Sequence, residues 1–305
     1  MSRWSTGDLP DQSGRTVIVT GANSGIGLTA ARALACRGAR VVLAVRDEEK
    51  GRRAAGTIQG PTEVRRLDLA DLASVRAFAS GWTGDVDVLI NNAGIMAVPE
   101  ARTKDGFEAQ IGTNHLGHFA LTGLLLEQVT DRVVTLASRA HRIGRIRLSD
   151  LNWETGGYSR WPAYGQSKLA NLLFTLELQR RLGAAGSALR ALAAHPGYTS
   201  TNLQSHTGSA IQNALMAIGN RVIGQSDEQG ALPTLFAATQ DLPGASYVGP
   251  DGRGEIRGHP TLVGRSAAAS DSETAARLWE LSERLTGVSY PALEPAGPGS
   301  ARGDP

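Results

Sequence analysis

A tyrosine and a lysine four residues apart, in Tyr164-Gly-Gln-Ser-Lys168, are the pair in this 305-residue chain whose types and spacing most directly suggest chemistry. On a helix, positions i and i+4 share a face, so a phenol would sit beside an ammonium. A unit positive charge about 5 Å away, at an effective dielectric of about 20, is worth about 3 kcal/mol. That is enough to draw a phenol that titrates near about 10 toward neutrality. There it could give a proton to a carbonyl oxygen or take one from an alcohol. Lysine is scarce here: of 31 basic residues only Lys50, Lys104 and Lys168 are lysines, and the rest are arginines. Arginine does not substitute where a compact, titratable cation is needed. Lys168 is therefore read as the lysine that arginine could not replace, with Lys50 and Lys104 as exchangeable surface residues. On a solvated helix the same spacing would be an ordinary contact, so the company of the motif decides.

That company begins with Thr20-Gly21-Ala22-Asn23-Ser24-Gly25-Ile26-Gly27. Glycines let a backbone turn tightly and approach a pyrophosphate, and a following helix offers free N–H groups and a positive dipole end. A glycine-rich turn without a ligand is the alternative. The next strand ends Val45-Arg46-Asp47. A guanidinium at Arg46 suits a 2′-phosphate, which favours NADP(H). Asp47 would serve NAD(H) if both residues merely begin a solvated helix.

These motifs require elements to hold them. Short β-branched runs predict strands at Thr16–Thr20, Arg40–Val45, Glu63–Leu67, Asp87–Asn91, Arg132–Leu136, Ala188–Ala194 and Ala245–Val248. Between them, helices are expected at Gly25–Arg37, Asp47–Ile58, Asp71–Ser80, Thr103–Glu127, Tyr164–Leu182, Gly208–Ile223, Asp227–Ala238 and Ser270–Leu285. Arg139 to Pro162 reads as a long loop. Repeated strand–helix units imply an α/β fold, a doubly wound parallel sheet of Rossmann type with helices on both faces. Residues 1–290 are expected to form one dinucleotide-binding and catalytic domain, and 291–305 a disordered Pro/Gly-rich tail. Asn91-Asn-Ala-Gly94, Ser138 and His195-Pro-Gly197 all follow expected strands, where ligands bind in such sheets.

Taken together, these strings resemble the short-chain dehydrogenase/reductase family over residues 14 to 250. Asn114-His-Leu-Gly-His-Phe119, Ser138-Arg-Ala-His141, Asp150-Leu-Asn152 and Tyr164-Gly-Gln-Ser-Lys168-Leu-Ala-Asn171 are most similar to its retinol-dehydrogenase and protochlorophyllide-reductase branch. The resemblance implies a catalytic tetrad of Asn114, Ser138, Tyr164 and Lys168. Tyr164 would exchange the proton, Ser138 would orient the substrate oxygen, and Lys168 would grip the nicotinamide ribose and lower the tyrosine pKa. Asn114 would hold a water linking Lys168 to solvent through a helix kink. Cofactor contacts carry over likewise. Gly21, Asn23, Ser24, Gly25, Ile26 and Gly27 would border the pyrophosphate, and Asp68 and Leu69 the adenine. Asn92, Ala93 and Gly94 would line the adenosine. Pro196, Gly197, Thr199 and Thr201 would contact the nicotinamide side, along with Tyr164 and Lys168. Two features depart from the pattern: Ala137 stands where many relatives have a second serine, and an N-terminal hydrophobic anchor is lacking.

The implied activity is NADP(H)-dependent interconversion of a carbonyl and an alcohol. The tetrad equally serves reduction of an activated carbon–carbon double bond, and a non-catalytic NADP(H)-binding sensor is the reading from another class. Residues 201–223 would form a lid, with Ile211, Leu215, Ile218 and Val222 at near-helical spacing, which points to a lipophilic small-molecule substrate. Family resemblance implies a homodimer or homotetramer through the helices at Thr103–Glu127 and Tyr164–Leu182.

Other features are set aside. His115 and His118 lack a third metal ligand and read as packed or solvated, so no metal is expected. His195 reads as structural, with a hydrogen bond to the cofactor region, and His141 as a loop residue beside the substrate at most. Arg139, Arg142, Arg145 and Arg147 read as a solvated loop face. A formal charge of +2 argues against nucleic acid as a partner. The one cysteine, Cys36, is expected to be buried and inert, and it excludes an internal disulfide. No apolar run is long enough for a membrane span. With a polar N-terminus, these features lead to a cytoplasmic expectation.

Overall fold

The strands that end in the chemical motifs all belong to one sheet. The computed structural model describes residues 3–198 and 226–293. The strands are β1 (Thr16–Thr20), β2 (Arg40–Val45), β3 (Thr62–Arg66), β4 (Val86–Asn91), β5 (Val129–Leu136), β6 (Arg190–Ala194), β7 (Tyr247–Pro250) and β8 (Pro260–Leu262). Their order across the sheet is β3-β2-β1-β4-β5-β6-β7-β8. All neighbours are parallel except β7 and β8, which are antiparallel. The order reverses between β1 and β4, which opens a crevice at their carboxyl ends.

Alternation along each strand feeds two separate cores. Val17 and Val19 enter one, and Ile18 between them enters the other. In the next strand Val41, Leu43 and Val45 face one side, Val42 and Ala44 the other. Strands buried on both faces read as continuous apolar runs, the pattern of a sheet sandwiched by helices. On the first face lie α1 (Gly25–Cys36) and α7 (Asp227–Thr239). On the second lie α3 (Leu72–Ser80), α5 (Gly117–Leu125), α6 (Arg160–Ala184) and α8 (Ser272–Thr286). The short α2 (Glu48–Ala55) follows β2, and α4 (Ala109–Ile111) precedes α5. Local signals set several ends. The Asp71 carboxylate accepts from Ala73 and Ser74 N–H at the start of α3, and Asp47 accepts from Lys50 N–H at the start of α2.

Some expectations need correction. The helix expected over Thr103–Glu127 begins only at Ala109. Thr103 to Phe107 instead close a tight turn, with Thr103 N donating to Phe107 O at 2.8 Å. Buried Glu108 then caps the new start, accepting from Gln110 N at 2.9 Å and Ile111 N at 2.8 Å. Between α4 and α5, Gly112–Leu116 form a π turn. The expected loop from Arg139 to Pro162 contains a 3₁₀ turn at Arg139–Ile143. Its end belongs to α6, where Pro162 sits in the first turn and needs no N–H partner. Strand β8 is unforeseen, being three residues long. In the expected tail, Pro291–Leu293 form a 3₁₀ turn with Leu293 buried, because that side chain joins the second core. Cys36 is exposed, contrary to the expected burial, because it lies on the solvent side at the last residue of α1. The expected helix Gly208–Ile223 and lid 201–223 lie outside the described residues.

Candidate active site

The carboxyl ends of β1, β2, β4, β5 and β6 surround a cavity of about 690 Å³. At one end is the glycine turn, where Gly21, Asn23, Ser24, Gly25, Ile26 and Gly27 form the wall. Gly21 and Gly25 are left-handed, at φ 66° and 56°. A Cβ at Gly27 would lie 2.4 Å from Asn92 Nδ2 and 2.7 Å from Gly21 O, so only glycine lets the helix start meet the β4 turn. Ser24 makes no side-chain cap to α1. The first N–H groups of that helix therefore remain free for an anion, the property a pyrophosphate site requires. Thr20 ties this turn to the next motif: its Oγ1 accepts from Asn92 N and Ala93 N, each at 2.9 Å.

The cavity continues past Asp68, Leu69, Asn92, Ala93 and Gly94. Arg46 stands at the end of β2, lines the cavity and is exposed. Asp47, held in the sequence reading as the alternative that would serve NAD(H), lines it too, as does Lys50, which that reading did not foresee. Asp47 Oδ1 accepts from Lys50 N at 3.0 Å, and Oδ2 lies 3.6 Å from Lys50 Nζ. Lys50, read from sequence as exchangeable, is thus a second cation at this end.

At the other end lie Ser138, Tyr164 and Lys168. Helix α6 is buried on nearly all sides over residues 163–175 and runs through the interior. Its tyrosine and lysine are consequently buried, not a surface pair. Lys168 Nζ donates to Leu136 O at 3.0 Å, and Asn171 Nδ2 donates to the same carbonyl at 2.9 Å. An ammonium carries three hydrogens, so two remain for a ligand. A Cβ at Gly94 would be 3.5 Å from that Nζ and 3.1 Å from Asn114 Oδ1. Close approach of this glycine thus completes the cradle. Nicotinamide adenine dinucleotide, phosphorylated or not, fits the donors and glycines present.

The electrostatics differ from the simple helical-pair argument. Burial pushes the Tyr164 phenol up to about 12, with a hydrogen bond to Ser138 pulling the other way. Lys168 is also affected by burial, which brings its ammonium down to about 8. Nζ lies 5.8 Å from the Tyr164 ring centroid. Desolvation therefore outweighs the attraction that the spacing alone suggested, and the phenol is held protonated.

Asn114 does not line the cavity. It sits fully buried in the π turn. Its Oδ1 accepts from Ile95 N at 2.8 Å, and its Nδ2 donates to Ile95 O and Ser167 Oγ, each at 2.9 Å. His118 bridges the same region, with Nδ1 donating to Asn114 O at 3.0 Å and Nε2 2.9 Å from Thr20 Oγ1. Burial brings His118 down to about 4, so it is a neutral strut between the two motifs. His141 and His195 also contact backbone. His141 Nδ1 donates to Ser138 O at 2.7 Å. His195 Nε2 lies 3.1 Å from Glu255 Oε2, while its Nδ1 accepts from Gly197 N at 3.2 Å. Among the described residues, no group of three or more His, Cys, Asp or Glu could hold a metal.

Pro196 and Gly197 line the cavity. Thr199 and Thr201 lie outside the described residues. The sequence reading missed Ile95, Met96, Arg139, Trp161 and Tyr198, which also line it. Trp161 is 46% exposed and meets the Tyr164 ring edge-on at 6.2 Å. Its place three residues before Tyr164 on one helix was the available signal.

Comparison with known proteins agrees with this geometry. The chain is 44% identical to human retinol dehydrogenase 13 over 296 residues, covering 92% of this chain and 87% of that protein. A crystal structure of an uncharacterised protein from Mycobacterium paratuberculosis matches with a TM-score of 0.83 and 59% identity, covering 95% of this chain and all of that one. A second, from Beutenbergia cavernae, is described as an NAD(P)-dependent gluconate 5-dehydrogenase with bound NADP. It matches at TM-score 0.56 and 28% identity, over 74% of this chain and 90% of that one. A family model described as short chain dehydrogenase matches residues 15–212. With its Rossmann-type sheet and this match across most of the motif-bearing chain, the protein belongs to the short-chain dehydrogenase family of oxidoreductases.

Proposed function

We propose that this chain is an NADP(H)-dependent oxidoreductase that interconverts a carbonyl and an alcohol on a lipophilic small molecule, with Tyr164 as general acid and base. The observation that carries the reading is a single cavity lined by the glycine turn, Ser138, Tyr164 and Lys168. The bound nicotinamide would supply or accept the hydride. Ser138 holds the substrate oxygen, and protonated Tyr164 donates to that oxygen as the alcohol forms. Lys168, anchored by Leu136 O, offers its remaining hydrogens to the ribose. In the oxidative direction the same phenol receives the alcohol proton.

NADP(H) is favoured by Arg46 and Lys50, two cations on the cavity wall at the end of β2. Asp47, the residue that could select NAD(H), has its carboxylate turned to Lys50. The neighbour solved with NADP is consistent with this choice. Similarity to a retinol dehydrogenase supports a lipophilic substrate, as do Ile95, Met96, Trp161 and Tyr198 along the wall. Retention of serine, tyrosine and lysine around one cavity favours catalysis over a cofactor-binding sensor.

Replacing Tyr164 by Phe tests the mechanism. Carbonyl reduction should fall by about a thousandfold, in the range typical of a lost general acid, while NADPH still binds by fluorescence titration. Undiminished turnover would remove Tyr164 from the mechanism.

A further inference from the structure

Beside Ser138 the fold leaves one charge without compensation. Arg139 follows the serine directly, lines the cavity and is exposed. No hydrogen bond or ion pair is made to its guanidinium among the described residues. Two of its neighbours in the same segment, Arg142 and Arg147, differ, whereas Arg145 is exposed and likewise unpaired among the described residues but does not line the cavity. Arg142 lies 3.5 Å from Glu255. Arg147 lies 2.7 Å from Asp150, and it stacks over Trp153 at 4.2 Å. The Arg139 guanidinium lies against Gly254, where an added Cβ would be 3.7 Å from Nη2. The carboxylate next to that glycine, Glu255, is already engaged by Arg142 and by His195. Residues 199–225, which follow the cavity-lining Tyr198, contain neither aspartate nor glutamate. That stretch therefore brings no acid to neutralise Arg139.

An unbalanced arginine in a cavity also lined by the apolar or aromatic Ile95, Met96, Ala140, Trp161 and Tyr198 draws an anion to that cavity. Its planar fork matches a carboxylate through two parallel hydrogen bonds. One guanidinium balances one negative charge, and Arg142 is not free to supply a second cation, which favours a carboxylate over a phosphate dianion. We propose that Arg139 is a specificity-determining residue and that the substrate is an oxo acid or the corresponding hydroxy acid. Its carboxylate pairs with Arg139 while its reacting carbon lies at Ser138 and Tyr164. This rests on the carbonyl–alcohol reading above and adds a substrate class to it. The carboxylate is unchanged in the reaction: hydride from NADPH and a proton from Tyr164 convert the carbonyl to the alcohol, leaving NADP⁺.

The test compares succinic semialdehyde and azelaic semialdehyde, each with its own methyl ester, under NADPH. Wild-type protein should favour at least one acid over its ester by about tenfold in kcat/KM, in line with a charge-assisted hydrogen bond at a partly exposed site. Arg139→Ala should bring that ratio to about one by raising KM for the acid alone, with NADPH affinity unchanged. Arg139→Lys should keep part of the preference. Equal turnover of acids and esters by the wild type overturns the proposal and leaves the carbonyl reading standing. So does an Arg139→Ala variant that loses acid and ester activity alike, or that loses NADPH affinity, since Arg139 would then hold the fold or the cofactor. Turnover of none of the four compounds also overturns the oxo-acid proposal, and leaves the carbonyl reading to its own Tyr164→Phe test.

Discussion

Lys168 and Tyr164 show how burial rewrites an argument made from spacing. Four residues of helix placed a cation beside a phenol, and that much was legible in the sequence. The dielectric around them was not, because it depends on α6 being covered on nearly all sides. The result is a lysine that titrates at about 8. Its folded value is depressed, so the ammonium is present below pH 8 and lost as pH rises through that value. Carbonyl reduction, which needs the cation, should show kcat/KM falling with an apparent pKa near 8 in a pH–rate profile of the free enzyme. At the opposite end of the cavity, Arg46→Ala should weaken NADPH by about tenfold or more and NADH little, measured as the two dissociation constants. Equal losses would mean that Arg46 does not read a phosphate. Trp161 and Arg139 escaped the sequence reading for a different reason. Each adjoins a recognised residue, but only the fold shows that it faces the same space.

At the scale of elements, strands with β-branched runs and helices with aspartate caps were readable, because their signals are local. Arg40–Val45 matches the expectation end for end. Thr103–Glu127 failed at its start because composition does not reveal the turn that Thr103 and Phe107 close. Strand β8 is three residues long and gains its pairing from β7, a tertiary effect. The packing of α8 was equally hidden. Trp279 stacks on Phe174 at 5.8 Å and meets Phe119 edge-on at 5.0 Å. Helix α8 and Tyr290 thus cover faces of α5 and α6, the helices from which self-association was expected. Trp279→Ala should cost about 3–5 kcal/mol in urea unfolding, from lost burial and a cavity. Trp279→Phe should cost less, because the buried indole nitrogen has no hydrogen-bond partner among the described residues to lose.

Across the whole molecule, the doubly wound plan was legible from the alternation of strand and helix signals, and the site followed from the carboxyl ends of the strands. The antiparallel β7–β8 edge and the buried Leu293 were not, since both depend on what the chain meets after folding. The four buried histidines His115, His118, His141 and His195 are each at most 2% exposed. All four titrate below the ordinary histidine value of 6.5 because burial disfavours the imidazolium. The unfolded chain can therefore take up protons that the native one refuses. Stability should be unaffected by these groups well above pH 6.5 and decline as pH falls below it. Each histidine contributes up to about 1.4 kcal/mol per pH unit until its own folded value is reached. Thermal melting between pH 7 and pH 5 should show a steep fall in Tm, accompanied by proton uptake on unfolding. A flat profile would mean that the histidines are charged in the native state. Mild acid should thus act as a denaturant for this fold, through the residues that hold the glycine turn, the serine and the π turn in register.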